Sequence, residues 1–245
     1  MRFPLGSAVA FFCFLLCVAA PALAMTVTPM QIEMMSSGRQ SRGVITVFND
    51  SDRPLPIEIV VKKASLDERG VPTLSAAGDE FIIMPPQALI APGATQNFRL
   101  QWLGEPLLER SESFFVYVNQ IPVKLARRDN DVQLVFSVGV MVNVAPARGE
   151  PALNVIASGV VTDGHGQRRP FVTVENPTNI HALFPQSTVR VSSESWSDTI
   201  SSGELARYIG IGLVQPGHRR RFVLPVTLPD NSTTARCSLE FRPKH

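Results

Sequence analysis

Cysteine is scarce in this sequence and badly placed for a staple. Of its three cysteines, Cys13 and Cys17 lie within the first 24 residues, which leaves Cys237 alone in the rest. No internal disulfide can then brace the fold, so stability has to come from apolar burial. An excess of one charge is missing too. The 23 basic and 21 acidic residues nearly cancel, which gives no electrostatic reason to expect a nucleic acid or other polyanion as partner. Catalytic signatures are also lacking. His165, His181, His218 and His245 sit in loop-like surroundings without the H-x-x-x-H spacing of a metal site, and they read as surface residues. Ser111-Glu112-Ser113 and Ser192-Ser193-Glu194-Ser195 lack the G-x-S-x-G setting of an activated serine. Gly210-Ile211-Gly212 is too short for a phosphate loop. The chain reads as a non-enzyme, with no catalytic residue, metal or cofactor expected.

A membrane-spanning run is absent as well. After Arg2, Ala8 to Ala20 is entirely apolar or small and closes on Ala22-Leu23-Ala24. That is short of the roughly 20 apolar residues a spanning helix needs, and it ends in a small-x-small cleavage pattern. Residues 1–24 are therefore read as a signal peptide, with export and no stable membrane insertion. A lipid anchor on Cys17 is disfavoured, because Leu16 is larger than the small residue such a site prefers. Removing 24 of 245 residues leaves 221, enough for two domains of about 100 residues each.

Helical periodicity with caps is not seen, and 20 prolines and 16 glycines punctuate the chain at short intervals. Strands are predicted at Thr26–Met34, Gly43–Asn49, Ile57–Lys63, Asn97–Trp102, Phe114–Asn119 and Val132–Val144. Turn signals such as Asn49-Asp50-Ser51-Asp52, Pro85-Pro86 and Pro92-Gly93 separate them. Ala145 to Pro151 interrupts the pattern as a linker. A second series follows at Leu153–Val161, Phe171–Glu175, Thr188–Val191, Phe222–Leu228 and Ala235–Phe241. Short strands at this spacing indicate an all-β chain of sandwiches or barrels, divided into 25–145 and 146–245. No tandem repeat is visible. Arg219-Arg220-Arg221 follows Pro216-Gly217 and reads as a solvated strand entrance.

Val132 to Val144 stands out. Strand side chains alternate, so Val132, Leu134, Phe136, Val138, Val140, Val142 and Val144 share one face. At about 3.3 Å per residue the segment spans about 43 Å, far beyond an ordinary strand. Two readings stand. Either the apolar face is wholly internal, with a bend into the linker, or its first half projects an apolar edge for another chain to use.

Several motifs lie in order along the chain. They are Val47-Phe48-Asn49 with Leu55-Pro56, Pro92-Gly93-Ala94 with Phe98-Arg99-Leu100, Ser113 to Pro122 before the long alternating strand, and Glu175-Asn176-Pro177-Thr178. Together they resemble the PapD-like periplasmic pilus chaperones over most of residues 25–242, in detail most like the archaic-type branch. The resemblance implies two immunoglobulin-like β-sandwiches in the periplasm. It also implies pilus subunits and an outer-membrane usher as partners, and donor-strand complementation, a form of β-strand addition. Val132, Leu134, Phe136, Val138 and Val140 would then fill the groove of a subunit that lacks its last strand.

The chain departs from the family at three positions. Many relatives anchor the subunit's terminal carboxylate with an Arg on the first strand and a Lys on the long strand. Alignment places Gln31 and Met141 there, and neither carries a charge. Arg99, or Lys124, Arg127 and Arg128 before the long strand, could supply the positive charge instead. Ala145 stands where relatives carry an Arg that pairs across the domains with a residue like Glu112, so the angle between domains must rest on other contacts. An alternative function is a copper carrier, since Met25, Met30, Met34 and Met35 cluster and thioethers suit Cu(I). Met30 and Met34, however, fall on one strand face where core packing is the ordinary role. A third reading, a pilus subunit, conflicts with the second strand series and the lone Cys237, which is expected to pack near the last strand.

Overall fold

The computed structural model describes residues 25–122, 135–194, 196–229 and 232–243. The stretch expected as one first strand is two, β1 (Thr26–Thr28) and β2 (Gln31–Met35). Pro29 between them has no N–H to continue a ladder, and the chain changes sheets there. β1 pairs antiparallel with β3 (Arg42–Phe48), which continues to β8 (Thr95–Trp102) and β6 (Phe81–Met84). β2 instead pairs parallel with β10 (Ser137–Ala145), in a sheet ordered β2-β10-β9-β4-β5. Here β9 is Glu112–Gln120, β4 is Leu55–Leu66 and β5 is Pro72–Ala76, and β7 (Gln87–Ile90) pairs with the start of β4. β5, β6 and β7 had no counterpart in the expected series, being short and lying among turn residues.

Alternation sorts the side chains. Ile45 and Val47, Phe98 and Leu100, Phe114, Val116 and Val118, and Val140, Val142 and Val144 all turn inward and are buried between the two sheets. Phe81, Trp102 and Phe114 meet edge to face with centroids 5.0–5.7 Å apart. Such pairs contribute about 0.5–1.5 kcal/mol each beyond their buried area.

A second sandwich follows with its own core. β11 (Asn154–Thr162), β12 (Arg168–Glu175) and β17 (Arg219–Val223) form one sheet. β15 (Trp196–Ile200), β14 (Ser187–Ser193) and β18 (Arg236–Phe241) form another, and the short β13 (Ala182–Leu183) and β16 (Leu213–Val214) pair between. Phe184 and Phe222 stack at 4.3 Å among Val172, Val174, Val189, Leu205 and Leu224. The fold is two immunoglobulin-like β-sandwiches, as expected.

Two readings of this half need correction. A capped helix is present: α1 (Ser202–Ile209) begins at Ser201, whose hydroxyl accepts from Glu204 N while the Glu204 carboxylate accepts from Ser201 N at 2.9 Å. This S-x-x-E box satisfies two of the helix's free N–H groups. The strand expected at Phe222–Leu228 instead runs Arg219–Val223, because Pro225 and Pro229 lack the N–H to continue it.

Candidate functional site

The long alternating segment is neither wholly internal nor wholly free. Antiparallel to β9, β10 is paired along its length, Ser137 opposite Asn119 to Val144 opposite Glu112. On its other side β2 covers only Met141 to Ala145. Met141 N donates to Met30 O at 3.0 Å, so the main-chain groups of Met141 point toward β2. Strand alternation turns those of Gly139 and Ser137 the same way, where no strand pairs with them among the described residues. The opposite set belongs to β9, as Gln120 N donating to Phe136 O at 2.9 Å marks.

Side chains divide at the same place. Val140, Val142 and Val144 are buried in the protein's own core, Val138 packs partly against it, and Phe136 is 38% exposed beside exposed Val135. Val140, expected to serve a partner, is therefore a core residue here. Val132, Leu134 and Lys124, with Arg127 and Arg128, lie outside the described residues.

The face of this sheet turned toward the second domain carries a cross-strand row: Gln31, Met141, Phe115 and Lys62. Directly opposed residues share a face, so the two positions lacking the expected charges sit side by side. Met141 is buried with Leu66 and with Leu213 of the second domain, and Phe115, Leu183 and Ile211 pack around them. Apolar packing between the domains accounts for a methionine at this position. Lys62 makes no ion pair among the described residues. Arg99 is not brought to this site. It lies exposed on β8 between buried Phe98 and Leu100, so it faces away from the sheet that holds β10.

Contacts between the domains replace the Arg–Glu pairing that Ala145 precludes; Glu112 instead pairs with Lys63 at 2.7 Å. Gln215 uses both ends of its amide, donating to Ala64 O at 2.9 Å and accepting from Leu66 N at 2.7 Å. Arg221 N donates to Glu68 O at 2.8 Å. The run Arg219-Arg220-Arg221 is a solvated entrance only at its two outer members. Arg220 is 9% exposed, donates to Leu213 O at 2.6 Å, and lies over Gly70, where an added Cβ would collide with its guanidinium. Burial lowers the Arg220 pKa from its ordinary value, with the charge of Asp67 opposing.

On the other side of the joint, Ser111 N donates to Asn179 O at 2.9 Å and Asn179 Nδ2 to Glu109 O at 3.0 Å. His181, expected at the surface, is 7% exposed. Its main-chain N donates to Ser111 Oγ at 3.0 Å, its Nδ1 lies 3.0 Å from the same hydroxyl, and its Nε2 meets the Glu33 carboxylate. Glu33 also accepts from Asn143 Nδ2 at 2.9 Å and Gln31 Nε2 at 2.7 Å. Partial desolvation works to raise the Glu33 pKa, but the bonds and charge from His181, Asn143 and Gln31 outweigh it and hold the group below the ordinary carboxylate value.

The four methionines do not share one site, although Met25 packs against the core that holds Met34. Met34 is buried in the first core, Met35 on the next residue points the other way, and Met30 lies outside both strands, 49% exposed. Cys237 is half-buried, with its thiol pKa pushed up to about 11 by burial.

Among solved structures, the fold is similar to that of the class 5 fimbriae chaperone CfaA, with a TM-score of 0.54 and 12% identity over 89% of this chain and 100% of that one. A chain of the Salmonella enterica complex of SafA pilin with the SafB chaperone gives 0.54 and 14% over 91% and 99%. A chain of the CsuC–CsuE chaperone–tip adhesion subunit pre-assembly complex, from the archaic Csu pili of Acinetobacter baumannii, gives 0.50 and 13% over 82% and 90%. These values do not set the archaic branch apart from the others. No curated protein matches the chain by sequence. The sequence pattern described as "Pili and flagellar-assembly chaperone, PapD N-terminal domain" matches residues 24–149, just over half of the chain, and the chain belongs to that family of chaperones.

Proposed function

We propose that this chaperone works in the periplasm, captures incomplete pilus subunits by donor-strand complementation, and passes them to an outer-membrane usher. The observation that carries the reading is the open edge of β10. Ser137 and Gly139 offer main-chain groups there that no described strand pairs with, and the neighbouring Phe136 and Val138 present apolar side chains that the first core does not fully bury. An edge of this kind invites strand addition. Burying one such side chain contributes about 1.5–3 kcal/mol, and Val132 and Leu134 would extend the series. Two of the similar structures are named as complexes of a chaperone with a pilin or a tip subunit. The leader read at residues 1–24 supports export, and the chain divides at Pro146 into domains 25–145 and 146–245.

The donated segment ends at Val138 in this reading, since Val140 belongs to the chaperone's own core. For the subunit's terminal carboxylate we assign Lys62, the cation in the row with Gln31 and Met141. The decisive experiment co-expresses the chain in the periplasm with the pilus subunits encoded beside its gene. A stable complex that is lost in Phe136→Glu, while the free variant stays folded, is expected. If those subunits accumulate equally well without the chain and none co-purifies, the reading fails. In the same assay Lys62→Ala is expected to weaken capture and Arg99→Ala to leave it unchanged; the reverse order would move the carboxylate to Arg99.

A further inference from the structure

The Glu33–His181 contact lies over the strand that would be donated. β2 is five residues long, at the sheet edge, and β10 is its one ladder partner among the described residues. The open edge ends where β2 starts, at Gln31 opposite Met141, so whatever pins β2 sets how much of β10 is exposed. Glu33 faces outward on β2 and commits one carboxylate oxygen to Asn143 of β10 and to Gln31. Its second oxygen meets His181 of the second domain. His181 is in turn fixed by Ser111, the residue before β9. One imidazole therefore reaches from the start of β9 to β2, the two strands that flank β10. The geometry points to His181 as a positioning residue: the second domain staples β2 onto β10 through Glu33 and so fixes the upper limit of the open edge at Met141. The inference rests on the donor-strand reading for its functional meaning, but the staple itself is a property of the free protein.

Amide exchange of the free protein tests it, because alternate amides of β10 face different strands. Met141 and Asn143 point toward β2, whereas Val142 and Val144 point toward β9. In His181→Ala the first pair should exchange roughly tenfold faster, as expected for loss of a charge-assisted, part-buried hydrogen bond, with the second pair unchanged. Glu33→Gln, a change to an exposed side chain that leaves the packing in place, should give the same pattern. His181→Gln, which keeps an N–H donor toward Glu33, should restore protection in part. Unchanged exchange at Met141 and Asn143 in both His181→Ala and Glu33→Gln overturns the inference. An equal rise at all four amides does so too, since it would mean general loosening. If the selective pattern appears while Phe136→Glu still captures subunits, the staple stands and the donor-strand reading falls. If subunit capture needs Phe136 but the selective pattern is missing, the reverse holds.

Discussion

The two domains turn the same corner with the same bonds and use it differently. In the first, Asn49 Nδ2 donates to Arg53 O at 2.7 Å and Ile90 O at 3.0 Å, and Asn49 Oδ1 accepts from Ser51 N and Oγ. In the second, Asn176 Nδ2 donates to Ile180 O at 2.7 Å and Val214 O at 3.0 Å, and its Oδ1 accepts from Thr178 N and Oγ1. Each is followed in space by a Pro-Gly turn, Gly93 N donating to Asn49 O and Gly217 N to Asn176 O. Each turn leads to a strand that buries a phenylalanine, with a buried leucine two residues on in the chain: Phe98 and Leu100, Phe222 and Leu224. What separates the corners faces outward. The first ends in solvent with Asp50, Asp52 and Arg53 exposed. The second lies against the other domain. Gln215 and His218 stand where the first has Ala91 and Ala94, and Asn179 and His181 stand where it has Asp52 and Pro54. One scaffold holds a loop in shape, and four substitutions make it a joint.

The largest effect should come from removing the shared element. Asn176→Ala and Asn49→Ala each remove an amide that is buried and makes two hydrogen bonds to main-chain carbonyls, and each should cost about 2–4 kcal/mol in urea unfolding. Only Asn176→Ala should also open the joint, read as faster exchange at the Leu66 amide; equal exchange there in both variants would mean the corner does not organise the joint. Next in size is Gln215→Ala, which leaves Leu66 N and Ala64 O without their partner and should cost about 1–3 kcal/mol. A cost below about 0.5 kcal/mol would assign the joint to its apolar cluster instead.

A smaller effect follows from Glu33. Its pKa is lowered in the folded protein from 4.5, so its contribution is fully present above that value and lost as pH falls through the folded pKa. The wild type should therefore lose joint stability in acid, below about pH 4.5, and Glu33→Gln should flatten that part of the profile; an unchanged profile would show that the carboxylate contributes nothing there. Ala91→Gln should have the smallest effect, within about 0.5 kcal/mol, because the first domain's corner faces solvent.

Much of this was legible in the sequence, for physical reasons that differ by residue. The Asn49 and Glu175-Asn176-Pro177-Thr178 motifs could be read because a side-chain amide and a hydroxyl at fixed spacing form the same turn wherever they occur. The duplication behind them was hidden, since little recurs beyond a Thr-Val pair before the Asn, the Asn itself, the hydroxyl, the Pro-Gly and the Phe-x-Leu. The alternation of Val132 to Val144 was plain. Which half lies open was not, because that depends on the register of β2, thirty residues into the chain and parallel to its partner. His181 and Arg220 were read as solvated because burial at a joint is decided by the neighbouring domain, not by flanking residues. The S-x-x-E box of α1 is present in the sequence at Ser201 and Glu204, between stretches of strand-forming residues.

The division of labour along β10 carries a last consequence. Main-chain groups facing the open edge belong to Ser137 and Gly139, while the apolar side chains there belong to Phe136 and Val138. On the proposed donor-strand reading, grip and address are written on different residues. Exchanging Phe136 or Val138 for another apolar side chain can change which subunit fits while the ladder remains intact. Gly139 has less latitude, because a Cβ would press on the Tyr117 and Phe115 rings at 3.1 and 3.2 Å. If subunits are captured along this edge as proposed, the chaperone can follow a drifting subunit through substitutions at its alternate positions without losing its hold.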